Sequence, residues 1–231
     1  MLWAYAVGMK SKVQENKKQK MDRLVASASR LFTETGVEKV SVEEIARQAG
    51  VAKGTFYLYF HDKEQLRDLI ISREAARLFE TADECLRTSP QASFVDAVIF
   101  MIDNVLSQLE ARATLLKFIR RSLTFAVFHE NISGLMQEEQ FALYPRFLDL
   151  AQSYGWQLKN PYKTLFLVVE LASGTCYSCL IDSKPCSMED MKPVLYSSIR
   201  AILESAKKPV QPPAARISEA ASVADANANM A

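Results

Sequence analysis

Cysteine and histidine are the side chains of this sequence best suited to bind a metal or carry out redox chemistry, and they are few. Cys176 and Cys179 are separated by two residues, a spacing found in zinc and redox sites. A zinc site needs two more ligands, yet the histidines are only His61 and His129, and no second cysteine pair exists. We therefore expect no metal and no cofactor. We interpret both cysteines as packing residues, with a redox sensor as the alternative.

Residues for catalysis are equally sparse. His129-Glu130 is the nearest approach to a catalytic base and its partner, and it stands alone in the sequence. The chain has no glycine-rich phosphate loop and no Ser/His/acid or Cys/His set that spacing would bring together. We therefore predict that the protein is not an enzyme.

A helical hairpin between Ser41 and Leu66 carries the most informative pattern. Ser41 is a good N-cap with Glu44 three residues later, which is a capping box, and Gly50 suits the left-handed end of a helix. Phe56 and Phe60 then repeat at i and i+4, which predicts a second helix with one buried aromatic face. Two short helices joined by a tight turn are typical of a unit that lays its second helix in a DNA groove.

The polar residues of this hairpin are the candidate DNA contacts. We expect Lys53, Gly54 and Thr55 to face the groove, with Gly54 allowing close backbone approach. We expect a second set to bind phosphates: Ser41, Tyr57, Tyr59, His61 and Lys63.

The same segment resembles the DNA-binding core of the tetracycline-repressor (TetR) family, whose pattern is G-V-x-x-x-T-[FLI]-Y-x-[YH]-F followed by x-x-K-x-x-L. The matching residues are Gly50, Val51, Thr55, Phe56, Tyr57, Tyr59, Phe60, Lys63 and Leu66. The resemblance covers residues 20–66. It implies a homodimeric transcriptional regulator, more often a repressor than an activator, with a ligand-binding half that varies within the family.

Apolar periodicity indicates an all-α chain. A helix from about Glu15 to Thr35 completes a three-helix core with the hairpin. We predict four segments: a flexible N-terminal extension (1–14), a helix-turn-helix DNA-binding domain (15–62), a larger helical ligand-binding and dimerisation domain (63–206) and a disordered tail (207–231). The helices predicted for the larger domain are 93–109, 113–128, 133–154, 161–180 and 188–206.

Charge supports this division. The whole chain has 28 basic and 27 acidic residues, a net charge of +1. Residues 10–63 hold eleven basic and seven acidic residues, whereas residues 64–231 hold 17 and 20. The basic excess therefore lies on the helix-turn-helix, where phosphate binding requires it.

Aromatic residues crowd the central helices of the larger domain, which suits either a packed core or a cavity for a small hydrophobic ligand. Arg121 interrupts an apolar helix and either lies at the surface or holds an anionic ligand. The candidate pocket residues are Phe100, Phe118, Arg121, Phe125, Phe141 and Tyr144.

The last two predicted helices carry apolar stripes that suit a four-helix dimer interface or, alternatively, packing within the subunit. The candidate interface residues are Leu165, Val168, Ala172, Cys176, Leu195, Ile199 and Ile202.

The predicted function is transcription regulation by binding a double-stranded, palindromic operator, with release by a small hydrophobic ligand. No uninterrupted apolar run reaches the eighteen to twenty residues of a membrane span, so we expect a cytoplasmic protein without a membrane partner. The alternatives are a ligand-independent or redox-responsive DNA-binding regulator and an architectural DNA-binding protein.

Overall fold

The computed structural model describes residues 2–112, 115, 116, 118 and 143–209, with side chains from residue 15 onward. These residues form no β-strand; one isolated antiparallel bridge joins Leu158 and Lys207. The all-α prediction is confirmed. The described helices are α1 (Leu2–Thr35), α2 (Val42–Gln48), α3 (Lys53–Phe56), α4 (Lys63–Thr88), α5 (Phe94–Glu110), α6 (Leu143–Ser153), α7 (Pro161–Ile181) and α8 (Met188–Ala206).

Helix α1 begins at Leu2, well before the predicted start near Glu15. It ends as predicted, because Gly36 has a φ of 90° and its N–H donates to the Phe32 carbonyl at 3.0 Å. A positive φ is open to glycine and unfavourable for most other residues. A short 3-10 turn, Val37–Lys39, then leads into α2.

The hairpin of α2 and α3 is built from the local signals that the sequence predicts. The Ser41 hydroxyl accepts a hydrogen bond from the Glu44 N–H at 3.1 Å and so caps α2. Gly50 has a φ of 65° at the turn. Helix α3 is only four residues long, and a turn carries the chain from Tyr57 to Phe60. Phe56 and Phe60 are both buried, as predicted.

Helix α4 belongs to two hydrophobic clusters. Leu66, Leu69 and Ile70 lie in the first cluster, which is formed with α1, α2 and the buried aromatics of the hairpin. From Ile71 onward its buried residues lie in the second cluster, formed with α5 to α8. The division between the two hydrophobic clusters therefore falls inside α4, after Ile70.

Serine side chains cap two helices of the second cluster. Ser93 and Ser187 accept hydrogen bonds from backbone N–H groups at 3.1 Å, at the starts of α5 and α8. Both starts, and the helix of residues 188–206, agree with the sequence prediction. Of the predicted helices 113–128 and 133–154, only residues 115, 116, 118 and 143–154 are described. Of the predicted tail, residues 210–231 lie outside the described residues.

Helix α7 qualifies the expectation that no apolar run is long enough to span a membrane. Among the helices of the described residues, it alone is long and apolar enough to cross a membrane by composition, with a mean hydropathy of 1.6. Lys163 and Glu170 break it into shorter uninterrupted runs, which is why counting such runs missed it. The core helix of a globular protein has the same composition, and one side of α7 is buried against α5, α6 and α8.

Candidate functional site

The hairpin presents most of the predicted DNA contacts at the protein surface. Ser41, Lys53 and Gly54 are exposed, Tyr57 is 55% exposed, and Thr55 is half-buried. The buried aromatic Phe56 lies behind them and holds the short helix against α1 and α2. Residues at the N-terminal end of α3 therefore have backbone and side chains available to a groove.

The ion pairs on this surface are weak. Lys53 lies 3.6 Å from the Glu43 carboxylate, and both side chains are more than half exposed, so the pair contributes little. His61 is 90% exposed, with Nδ1 3.1 Å from the Asp62 carboxylate. The Gln65 N–H, followed by His61, lowers the pKa of Asp62 below its usual 3.8. Asp62 therefore caps α4 as a carboxylate, at 2.7 Å from the Gln65 nitrogen.

Lys63 has a different role from the predicted phosphate contact. Its ammonium group donates to the carbonyl oxygens of Val37, Glu38 and Val40 at 2.9, 3.3 and 3.2 Å. An ammonium has three donors, and these carbonyls use all of them. Lys63 thus joins the start of α4 to the segment between α1 and α2, and it positions the hairpin.

Tyr59 also points partly inward. Its ring packs against the first cluster, with its centroid 6.4 Å from that of Phe60. Leu58, the residue before Tyr59, is 75% exposed, and its sequence position alone did not predict a DNA contact. The one indication in the sequence is that Leu58 is a large apolar residue on an outward face that is otherwise polar.

A partly open cavity of about 70 Å³ lies between α4, α5, α6 and α7, against the second cluster. A single water molecule needs roughly 10–15 Å³ of such a volume, so the cavity has room for about five water molecules. Its surface is apolar among the described residues, and Ser173 and Arg146 contribute only carbon atoms to it. The lining residues are Phe79, Val98, Met101, Ile102, Val105, Leu106, Leu109, Leu143, Arg146, Phe147, Leu150, Leu165, Val168, Val169, Ala172, Ser173 and Cys176.

None of the predicted pocket residues that the structure describes lines this cavity. Phe100 and Tyr144 pack, half-buried, at the edge of the second cluster, and Tyr144 contacts Tyr162 edge-on at 5.4 Å. Phe118 stacks on Phe32 of α1 at 6.2 Å and joins the two clusters. Arg121, Phe125 and Phe141 lie outside the described residues. Aliphatic residues of α5 and α7 form most of the wall instead.

A buried carboxylate lies beside the cavity. Asp83 of α4 is only 2% exposed, and its two oxygens are shared between two arginines. Oδ1 accepts hydrogen bonds from Nε and Nη2 of Arg146, both at 2.7 Å, and Oδ2 lies 2.7 Å from Nη2 of Arg87. Arg146 lines the cavity, and the more exposed Arg87 does not. This cluster ties α6 to α4.

The predicted interface stripe faces the core of its own subunit. Leu165, Val168, Cys176, Leu195 and Ile199 are all buried in the second cluster, and Ala172 and Ile202 are half-buried. The five buried residues are covered by their own subunit, whereas Ala172 and Ile202 keep part of their surface exposed. The outward face of α7 is also partly apolar, with Leu167 53% exposed, and on α8 Val194 is 59% exposed among mostly polar neighbours. Periodicity could not separate the two faces, because α7 is apolar on both.

The cysteine thiols are poorly placed for redox chemistry. Burial raises the pKa of the Cys176 thiol to about 12, and burial also raises the pKa of Cys179. The thiolate is the reactive form, so both groups are unreactive near neutral pH. In the part of the chain that the structure describes, no group of three His, Cys, Asp or Glu residues is arranged to hold a metal ion.

Comparison with known proteins agrees with the hairpin geometry. Residues 24–70 match the family model described as bacterial regulatory proteins, tetR family. The helix-turn-helix-type transcriptional regulator YhgD of Bacillus subtilis is 31% identical over 109 residues, which cover 47% of this chain and 51% of that protein. The chain spans about half the length, or less, of the curated relatives that it matches.

Solved structures extend the similarity to the whole fold. A TetR transcriptional regulator from a Rhodococcus species has a TM-score of 0.59 at 22% identity, covering 82% of this chain and 97% of that chain. The regulator FadR from Bacillus subtilis, solved with stearoyl-CoA, has a TM-score of 0.52 at 17% identity, covering 77% and 96%. At these identities the similarity concerns the fold alone.

Proposed function

The chain belongs to the tetR family of bacterial transcriptional regulators, and we propose that it is a dimeric repressor that leaves its operator when a small hydrophobic ligand binds. The observation that carries this proposal is the continuity of α4. The helix runs unbroken from Leu66 in the first cluster to the cavity wall at Phe79. A change at the cavity therefore acts on the hairpin through a rigid element.

The DNA-binding surface of the proposal is the exposed part of the hairpin. Lys53, Gly54 and Thr55 face the major groove, and Leu58 is placed to contact a thymine methyl group. Ser41, Tyr57 and His61 contact phosphates, and Tyr59 does so through its hydroxyl while its ring stays packed. Lys63 is excluded from this set because its donors are occupied.

The proposed dimer uses the outward faces of α7 and α8. A helix that is apolar on all sides is normally buried on all sides, and α7 has core contacts on one side only. A second copy of this chain, packed against Leu167 and Val194, covers the other side and forms a four-helix bundle about a two-fold axis. The two hairpins then reach successive major grooves, roughly 34–36 Å apart.

The proposed ligand site is the cavity of the second cluster. A ligand that binds the DNA-free form better than the DNA-bound form shifts the equilibrium by its differential affinity, and operator and ligand oppose each other reciprocally. The fold that this chain shares with FadR holds stearoyl-CoA in that protein, which supports acyl compounds as first ligands to test. Such a regulator acts on the chromosome, so we assign it to the cytoplasm.

Operator binding is tested by selecting duplexes from a randomised library with the purified chain and titrating the selected site. We expect a palindromic site bound by a dimer, and Lys53→Ala should weaken binding and lower the salt slope by about one unit. A selection that enriches no palindrome contradicts the proposal.

The interface is tested separately by light scattering. Leu167→Glu and Val194→Glu place charges at the proposed interface and should convert the dimer to a monomer, since an unpaired buried charge costs several kcal/mol. Leu148→Glu, on the exposed face of α6, is the matched control and should leave the dimer intact. A wild-type chain that is monomeric at micromolar concentration contradicts the bundle.

A further inference from the structure

The ion cluster beside the cavity has more positive than negative charge. Arg146 and Arg87 share the single carboxylate of Asp83, and no other ion pair of either arginine occurs among the described residues. Their side chains are 30% and 67% exposed, whereas Asp83 is almost fully buried. The cluster thus carries a net charge of +1 at the edge of an apolar cavity. One monovalent anion would neutralise it.

Asp83 remains paired when Arg146 is withdrawn, because Arg87 binds the other carboxylate oxygen. Arg146 can therefore exchange one carboxylate for another, and no charge is left buried and unpaired. Arginine binds a carboxylate in bidentate fashion with paired N–H donors. The exchange converts a three-membered cluster into two separate pairs, Arg87 with Asp83 and Arg146 with the incoming anion.

From this geometry we propose that the ligand is a single-chain amphiphile with a carboxylate head, such as a free fatty acid, whose head binds Arg146 in place of Asp83. The tail lies along the aliphatic wall formed by Val105, Leu109 and Val169. This inference rests on the proposed function for its regulatory meaning, and on the cavity and its arginine for its chemistry.

The exchange also explains how a small cavity admits a long chain. The Arg146–Asp83 pair is the ion pair that links α6 to α4 within the described residues. Transfer of Arg146 to the ligand breaks this link and lets α6 move away from α4. The same step lets the cavity widen. It also removes a restraint on α4, the helix that joins the cavity to the hairpin.

The experiment is calorimetric titration of the full-length, DNA-free protein with dodecanoate and with methyl dodecanoate, both below their aggregation concentrations. The two probes share a tail and differ in head charge. We expect the wild type to prefer the acid by roughly tenfold or more, which is the range of a charge-assisted pair. Arg146→Gln should lower the affinity for dodecanoate by about tenfold to a hundredfold and remove the preference.

Arg87→Gln tests the exchange from the other side, because Arg87 pairs with Asp83 but does not line the cavity. It should lower the affinity for dodecanoate, since Asp83 would be left buried and unpaired when Arg146 binds the head, and the double variant Arg87→Gln/Asp83→Asn should restore the preference for the acid. Asp83→Asn should tighten dodecanoate binding, since Arg146 no longer has to leave a carboxylate. Retained binding of methyl dodecanoate would show that each variant still has a folded cavity.

Equal affinity for acid and ester, a preference that survives Arg146→Gln, or no binding of either probe would overturn the inference. Tighter binding of dodecanoyl-CoA than of dodecanoate would overturn it in favour of a phosphate-bearing head. Operator titrations are run in parallel, and they test a separate claim. If the acid binds through Arg146 without releasing the operator, the carboxylate site stands and ligand-controlled repression fails.

Discussion

The two hydrophobic clusters at either end of α4 are held together by contacts of different range. In the first cluster, short-range signals shape the hairpin: the Ser41 cap, the Gly50 turn and the neighbouring aromatics Phe56 and Phe60. In the second cluster, polar links join residues that lie far apart in the chain, such as Arg146 with Asp83 and Arg200 with Asp96. The first region has a long-range link in the Lys63 ammonium, which bonds backbone carbonyls, whereas the long-range partners of the second region are charged side chains on different helices.

A third long-range link shows the same feature. The Tyr196 hydroxyl of α8 donates to the Asp103 carboxylate of α5, and Lys192 lies 3.3 Å from the same group. Burial raises the pKa of the Tyr196 phenol, and Asp103 raises it further. The contrast suits the proposed function, in which a ligand acts on the second cluster and the hairpin moves with α4.

The largest expected effect comes from removing one buried aromatic ring from each cluster in turn. Phe56→Ala and Phe94→Ala each remove a fully buried ring and should cost about 3–5 kcal/mol of unfolding free energy. We expect hydrogen exchange to rise mainly in α2 and α3 for the first variant and in α5 to α8 for the second. Uniform loss of protection in both variants would show that α4 makes the two clusters one cooperative unit.

The next effect distinguishes positioning from DNA contact within the first region. Lys63→Met removes three hydrogen bonds from a charged donor, so we expect a loss of roughly 1.5–3 kcal/mol in unfolding free energy. The salt slope of operator binding should not change, because backbone carbonyls already use all three donors of the Lys63 ammonium. Urea unfolding and fluorescence titrations across salt measure the two quantities.

Lys53→Met is the matched control, because Lys53 is exposed and pairs weakly with Glu43. It should leave the unfolding free energy nearly unchanged and reduce the salt slope by about one unit. The reverse pattern, with a lower slope for Lys63→Met, would return Lys63 to the phosphate contacts.

Lys63 also illustrates which features the sequence could predict. The cap at Ser41 and the turn at Gly50 depend on residues within four positions of each other, and both were correctly predicted. The partners of Lys63 lie more than twenty residues earlier, and their carbonyl groups carry no side-chain signature. A lysine in a basic region was therefore interpreted as a phosphate contact.

The region of the second cluster was predicted well in its helices and poorly in its surfaces. The bounds of α7 and α8 follow from Pro161 and the Ser187 cap, which are local signals. Which face of α7 meets the core depends on the position of α5 and α6, and an apolar residue on either side looks the same. The cavity depends on the same tertiary arrangement, so its aliphatic wall was missed.

A smaller effect concerns two glycines of the hairpin. Gly50 is needed for its backbone conformation, and Gly54 for close approach to DNA. Gly50→Ala should cost roughly 1–2 kcal/mol, because Gly50 has a φ of 65°. Space is not the cause, since the nearest atom to an added Cβ is 3.7 Å away on the flexible Arg23 side chain. Gly50→Asn should be better tolerated than Gly50→Ala, because asparagine adopts this conformation more readily. Thermal unfolding measures both variants.

Gly54→Ala provides the comparison. An added Cβ meets no atom within 4 Å, and Gly54 has no positive φ, so thermal stability should be unchanged or slightly higher. Operator affinity should nevertheless fall, because the methyl group keeps the α3 backbone from the DNA. Unchanged operator affinity would remove Gly54 from the interface and leave the hairpin docked by its side chains alone.

The smallest effect concerns acid sensitivity, and it compares one carboxylate from each region. The Gln65 N–H lowers the pKa of Asp62, and the Ser93 hydroxyl, followed by Arg200, lowers that of Asp96. A lowered folded-state pKa stabilises the protein above the usual value of 3.8, and this contribution is lost as pH falls through the folded-state pKa. Unfolding free energy should therefore decrease below about pH 4.

Asparagine at position 62 keeps an oxygen acceptor for the cap of α4, and asparagine at position 96 keeps one for the Ser93 hydroxyl. Both changes remove the titration. Asp62→Asn and Asp96→Asn should each flatten the dependence of unfolding free energy on pH between about pH 5 and 2, as measured by urea unfolding at each pH. Both carboxylates are partly exposed, so each change should be small, and the double variant should show their sum because the sites lie in different clusters. A double variant with the wild-type slope would mean that other carboxylates control acid unfolding.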